Sequence, residues 1–434
     1  MIARVNRFLE NQGQLPCLTR WAIALFAGHL IFFITLLLLG KADGWVIIPD
    51  SLEYLKLAAY PLTDGIYSLD GVQSSGKREP GYSGFIMAFI ASGIVKPHVF
   101  TAANLWPVVV VQIVLYGWIC GLIVRHLATI FGGASAWIGL LIMQASPIAV
   151  YQYSMGNECL STVLLGMVAL EVSTHWRKGP TWGVLLRTAL WLGLLGITKS
   201  VNVLFIPALS LLLWLRLPVK LPKMAVFFLI ALLPALGWTA RNKAVFGLPI
   251  MGSIDGFSSL YRANILPYYQ ISSPDHPAMP DEAKVAIAAC KNDAEKYLWY
   301  KKAALDWLKA NPFQYVKQCI HRTAAMFIDL YREENIPWWR YPFALLVGND
   351  QLFLTVVLLL CLVPLWRKQD IWVELSVLFF LFSTGIYGAV YGQERYLHPA
   401  FYLLAPVHAW CLLEVLLPWW KKRFTSAAPA TSGT

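Results

Sequence analysis

Ten stretches of this chain are apolar over 13 to 23 residues, at positions 21–40, 102–124, 134–150, 160–172, 182–197, 201–215, 225–240, 352–366, 371–390 and 397–417. Crossing about 30 Å of hydrocarbon takes roughly 20 residues of α-helix. In lipid only helices and closed barrels satisfy every backbone polar group. Runs of this length therefore predict an all-α, polytopic membrane protein with about ten transmembrane helices. With 58% hydrophobic and only 14% charged residues, a soluble domain could not hide so much apolar surface. Trp, Tyr and Phe gather near the ends of the runs, as an interfacial belt requires.

The formal charge of +11 could suggest nucleic acid, but Lys and Arg fall in short loops between apolar runs and form no single basic face. They set topology instead. Arg4, Arg7 and Arg20 place the start of the chain in the cytoplasm. Arg125, Arg177, Arg216, Arg367 and Lys421 then recur after every second run on the same side, so both termini are expected there. Asp50, Glu53, Glu158, Glu394 and the large hydrophilic segment fall outside. The first run resembles a signal peptide, but its apolar part is long and no small-residue cleavage site follows, so it is expected to stay attached. The expected divisions are a membrane core over 1–240 with a first outer loop at 41–100, a helical outer segment at 241–345, further spans over 346–420, and a tail at 421–434 disordered by composition.

Several local expectations follow. The run 85–95 is too short to cross and reads as an interfacial helix. The turn 198–200 is so short that the spans flanking it should be close antiparallel neighbours. In the hydrophilic segment one helix is predicted over 280–310, stopped by Asn311 and Pro312. A second, over 312–331, carries Phe313, Val316, Ile320, Ala324, Phe327 and Ile328 on one side, as a helix lying on a membrane or a bundle would. Seven cysteines without a CxxC pair give no metal or haem signal. Cys290 and Cys319 share the outer segment, where a disulfide is conceivable.

The stretch 49–84 carries Asp50, Glu53, Lys56, Asp64, Asp70, Lys77, Arg78 and Glu79 directly after an apolar run. Asp50 sits at the lip, before a short amphipathic stretch. Two roles stand open: an N-cap accepting the first free N–H groups, or a carboxylate taking a proton from a substrate at the membrane surface. Lys77, Arg78, Tyr82, Glu158, Lys199, Arg241, Asn242, Arg395 and His398 collect on the same outer face. They could pair with acidic neighbours to lock helix ends, or hold a phosphate in the bidentate way guanidinium suits.

In order along the chain, PDSLEYLKLA, KREPGYSGFIMAF, SMGNECLSTVLL, LLGITKSVNVLFIPAL, GWTARNKAVFGLPI and YGQERYLHPAFYLLAP resemble the GT-C membrane glycosyltransferases. The likeness is to the bacterial branch related to the protein O-mannosyltransferases and the lipid A aminoarabinose transferase. The resemblance implies a catalytic carboxylate at Asp50. It implies donor contacts at Arg78 or Lys77, Glu158, Lys199, Arg241, Asn242 and Arg395, with Tyr82 and His398 in the same motifs. It further implies a polyprenyl-phosphate sugar donor, a periplasmic glycan, lipid or protein acceptor, and a monomer in the inner membrane with its site facing the periplasm. No obligatory cofactor is expected; a divalent cation could bridge Asp50 and phosphate but is not required. Unlike relatives that use a large carboxy-terminal periplasmic domain for peptide or glycan acceptors, the chain is expected to have a single internal hydrophilic portion. A lipid-linked glycan polymerase or ligase, and a polytopic transporter, are the other classes these features fit. The first would favour arginine pairs in the large loop, and the second an inverted repeat with charges at mid-membrane.

Overall fold

The computed structural model describes residues 11–12, 14–47, 50–145, 154–176, 179–266, 279–327, 350–391 and 394–420. Among these residues there are helices and turns but no strand beyond an isolated bridge between Ser68 and Ser74.

The chain opens with α1 (Leu15–Leu38), then α2 (Ser51–Thr63) and α3 (Pro80–Ala91) in the first loop. It continues with α4 (Ala102–Phe131), α5 (Gly133–Ala145), α6 (Glu158–His175) and α7 (Trp182–Thr198). A 3₁₀ turn, Ser200–Leu204, leads to α8 (Phe205–Arg216) and α9 (Leu221–Phe246). The hydrophilic segment holds α10 (Asp255–Ile265), α11 (Asp281–Ala288), α12 (Asp293–Ala310) and α13 (Pro312–Phe327). Then come α14 (Asp350–Leu360), α15 (Leu362–Lys368), α16 (Ile371–Val390) and α17 (His398–Trp410), the last extended by a π turn, Cys411–Leu416.

Five of these are long and apolar enough to cross a membrane: α1, α4, α9, α16 and α17 with its extension. The other expected spans also fall on helices, but α8 has only 12 residues, about 18 Å at 1.5 Å per residue; α5 is described to Ala145, with 146–150 of its expected span outside the described residues. Most of α6 is buried, including Glu158 and Glu171, because it runs through the protein interior, where a helix needs no uniformly apolar surface. In contrast, α1 buries only Leu18 and Phe33 of its 24 residues.

Small residues set the closest helix contacts. A Cβ on Gly139 would lie 2.7 Å from Pro406 Cα, and one on Gly193 2.8 Å from the Ala231 carbonyl oxygen. Those backbones approach as only glycine permits, joining α5 to α17 and α7 to α9. A second apolar core, formed by Tyr54, Leu55, Ala58, Tyr82, Ile86, Leu105 and Val109, fastens α2 and α3 to α4.

Two expectations are corrected, and two questions left open by the sequence are answered. The helix predicted over 280–310 is broken at 289–292, because Asn292 caps a new start: its side chain accepts from Glu295 N–H (3.0 Å) while the Glu295 carboxylate accepts from Lys291 N–H (2.7 Å). Across the 198–200 turn, α8 packs against α9 and α16 rather than along α7, since the 3₁₀ turn redirects the chain. Asp50 makes no side-chain cap to α2; its carboxylate is committed elsewhere. Cys290 and Cys319 are both free thiols, on separate elements. The short helix expected at 85–95 is α3, beginning five residues earlier because Pro80 suits its first turn. The tail 421–434, and position 274, lie outside the described residues.

Candidate functional site

Around Arg78 the first loop closes on itself. Asp50 precedes α2 and Glu53 lies one turn on, so both carboxylates share a face. Arg78 Nη2 donates to Asp50 Oδ1 (2.8 Å) and Arg78 Nε to Glu53 Oε2 (2.6 Å). Lys77 Nζ pairs with the other Glu53 oxygen at 2.5 Å. The guanidinium carbon stands 5.5 Å from the centre of the Tyr54 ring. Burial works against the charge on Arg78, but Tyr54, Asp50, Asp255 and Glu53 outweigh it and hold its pKa well above the usual guanidinium range. The side chains of Asp50, Glu53, Lys77 and Arg78 remain between 21% and 34% exposed, so a soluble group can reach the cluster.

This cluster is tied to the turn that carries Lys199. Asn157 Nδ2 donates to Tyr54 Oη (2.9 Å) and to the Thr198 carbonyl (3.2 Å). Glu79, nearly buried, accepts from Ser200 N–H at 3.1 Å. Tyr67 Oη donates to the carbonyls of Arg78 and Glu79, and burial raises its pKa. A Cβ on Gly81 would lie 2.7 Å from the Ile197 carbonyl oxygen and from Thr198 N, so the PGY element is what lets α3 abut the end of α7.

Lys199 itself reaches into a narrow cleft lined by Ser161, Leu195, Asn202, Phe379, Tyr387, Tyr396 and Pro399. Its ammonium lies 4.2 Å from the Tyr396 ring centre and 5.2 Å from that of Tyr387. The two rings stack at 4.3 Å. A cation over tyrosine faces is held by the ring quadrupoles. The buried Ser161 hydroxyl, which has no hydrogen-bond partner within the described protein, also lines this cleft. Glu158 is buried one turn earlier on α6.

Of the remaining residues singled out by sequence, Arg241, Asn242 and Tyr82 serve as supports around the first loop. Arg241 donates to the Ser75 carbonyl (2.9 Å) and Asn242 Oδ1 (3.0 Å) and is enclosed by Tyr67, Trp238 and Phe246 at 4.8 to 5.4 Å. It braces the first loop from α9 rather than pairing with Glu158. Asn242 is fully buried and donates to the Ile250 carbonyl. Tyr82 is fully buried, its hydroxyl donating to Gln112 Oε1 at 2.6 Å. His398 is buried in the first turn of α17. Arg395 belongs to the 3₁₀ turn Glu394–Leu397, and its side chain lies outside the described residues.

Glu53, Tyr54, Asn157, Glu79 and Tyr387 were not anticipated as parts of a site, and Tyr396 was placed only on the same outer face. Glu53 could have been found from its i, i+3 relation to Asp50, but the tyrosines meet Lys199 only through folding. Among the described residues no three His, Cys, Asp or Glu side chains converge as metal ligands would.

The chain matches no protein-family model, no curated protein and no solved structure. Its fold and composition define an all-helical protein with several helices fit to span a membrane, the make-up of a multi-pass membrane protein.

Proposed function

We propose that this chain is a membrane glycosyltransferase of the GT-C type, moving one sugar from a polyprenyl phosphate to a hydroxyl group on a periplasmic glycan, lipid or protein. In this reading the ten apolar runs span the membrane and the first loop faces the periplasm. The observation that supports it is the contact between Asp50 and Arg78 at 2.8 Å, a carboxylate and a guanidinium side by side, the two groups that a proton acceptor and a phosphate binder would require.

The pairing supplies a sequence of events. A donor phosphate would compete with Asp50 for Arg78, since guanidinium bonds phosphate as readily as carboxylate. The displaced carboxylate then accepts the proton of the incoming hydroxyl. The hydroxyl oxygen forms its bond to the anomeric carbon from the face opposite the phosphate, and the carbon–oxygen bond to phosphate breaks with its electron pair leaving on the lipid phosphate. One displacement inverts the configuration. Lys199, its ammonium held over Tyr387 and Tyr396, would stabilise charge growing on the departing phosphate. The cluster leaves the choice of sugar open.

Incubating the purified protein in detergent with a panel of polyprenyl-phosphate sugars and envelope acceptors tests this reading. Release of free polyprenyl phosphate with a product one sugar heavier by mass spectrometry is expected. No transfer from any donor in the panel, by protein that remains folded, would count against it.

A further inference from the structure

One face of α13 is locked to the protein and the other is bare. Tyr315 Oη donates to the Ala389 carbonyl at 3.1 Å. Arg322, 1% exposed, donates to the carbonyls of Gly388 (2.9 Å), Ala389 (3.0 Å) and Ala263 (3.0 Å). Further along, the Phe327 ring lies 5.9 Å from Phe380. Position 315 is thus beside 389 and position 327 beside 380, so α13 runs antiparallel along the last turns of α16. If α16, which is long and apolar enough, spans the membrane, α13 lies along its second half, from the middle at Phe380 to the end where Tyr315 meets Ala389 and the helix leaves the hydrocarbon.

On the far side Phe313 is 87% exposed, Val316 55% and Ile320 67%. At 100° per residue these three fall within an arc of about 60°, roughly opposite Tyr315, Arg322 and Met326. Lys317 and His321, both exposed, border the stripe. The helix cannot roll to bury it, because the Arg322 hydrogen bonds hold its rotation.

We propose that this stripe is seated in the bilayer around α16, at the boundary between acyl chains and headgroups, with Lys317 reaching the phosphates of anionic phospholipids. Depth selects lipid as the occupant: a surface alongside the end of a spanning helix meets the membrane boundary. Charge agrees, since the lysine lies beside the apolar arc, where it can keep its stem in the boundary and its ammonium at headgroup level. This inference stands apart from the reaction proposed above.

Photo-crosslinking the full-length protein in nanodiscs of phosphatidylethanolamine and phosphatidylglycerol tests it. With p-benzoylphenylalanine in place of Phe313 or Ile320, intact-mass spectra after irradiation should show phospholipid adducts as the main product. The same residue in place of the exposed Lys302 on α12 should show at least fivefold fewer. Adducts to a second copy or to another protein, or equal lipid labelling at all three sites, would overturn the proposal. Lys317→Glu in the Phe313 variant should at least halve the share of phosphatidylglycerol among the adducts, and an unchanged share would overturn the lysine's part.

Discussion

Arg78 is the residue on which the first loop turns: it joins Asp50, Glu53 and Tyr54, and its partners lie on both sides of α2's start. Because Asp50 makes no side-chain cap to that helix, replacing it by Asn removes charge without removing a helix start. Asp50→Asn is therefore expected to fold and to bind donor at least as tightly as wild type, since the phosphate no longer competes with a carboxylate for Arg78, while transfer turnover falls by roughly two orders of magnitude or more. Turnover near wild type in that variant would leave Glu158 as the next carboxylate to test. Lys199 makes a separate prediction. Lys199→Met keeps an apolar stem above Tyr387 and Tyr396 but loses the ammonium, and a charge-assisted hydrogen bond is worth about 1.5 to 3 kcal/mol. Donor affinity should fall at least roughly tenfold, measured by binding of the polyprenyl phosphate to purified protein. Unchanged affinity would assign the lysine to helix packing alone.

At the scale of elements, two glycines of α3 separate a structural demand from an incidental one. A Cβ on Gly81 would strike backbone atoms of residues 197 and 198, whereas one on Gly84 would meet nothing within 4 Å. Gly81→Ala should cost about 1 to 3 kcal/mol through overpacking. It should also reduce transfer, because the shift falls on the turn holding Lys199. Gly84→Ala should be neutral or stabilising by up to about 1 kcal/mol, since alanine suits a helix interior better. Thermal unfolding of both variants in the same detergent, with turnover beside it, separates the two. Arg322 offers a third case: Arg322→Met would take the guanidinium donor from the Gly388 and Ala263 carbonyls and leave the Ala389 carbonyl with Tyr315 in place of two side-chain donors. Buried acceptors left unpaired cost about 1 to 3 kcal/mol each, so this variant should unfold earlier than any surface substitution on α13.

For the whole molecule, the distribution of Lys and Arg predicts an orientation that can be measured. A cysteine introduced at position 274 is expected to react with a membrane-impermeant maleimide in intact cells, while one in the tail after 421 should react only after permeabilisation. Protection of position 274 would reverse the orientation and move Asp50 to the cytoplasmic face.

Sequence alone determined the class: apolar runs of near-membrane length require helices because lipid satisfies no backbone group, and their positions were readable because hydropathy is a local property. It also marked Asp50, Arg78 and Lys199, whose charges stand out beside hydrocarbon. Only the tertiary structure decided who meets whom. Asp50 is a partner of Arg78 rather than a cap, Lys199 rests on tyrosines almost 200 residues away in sequence, and Arg241 and Tyr82 are braces. These outcomes depend on how closely helices approach, which is set by residues such as Gly81, Gly139 and Gly193, where the lack of a Cβ leaves room for backbone from distant segments. Such contacts leave no periodicity or charge pattern in the sequence.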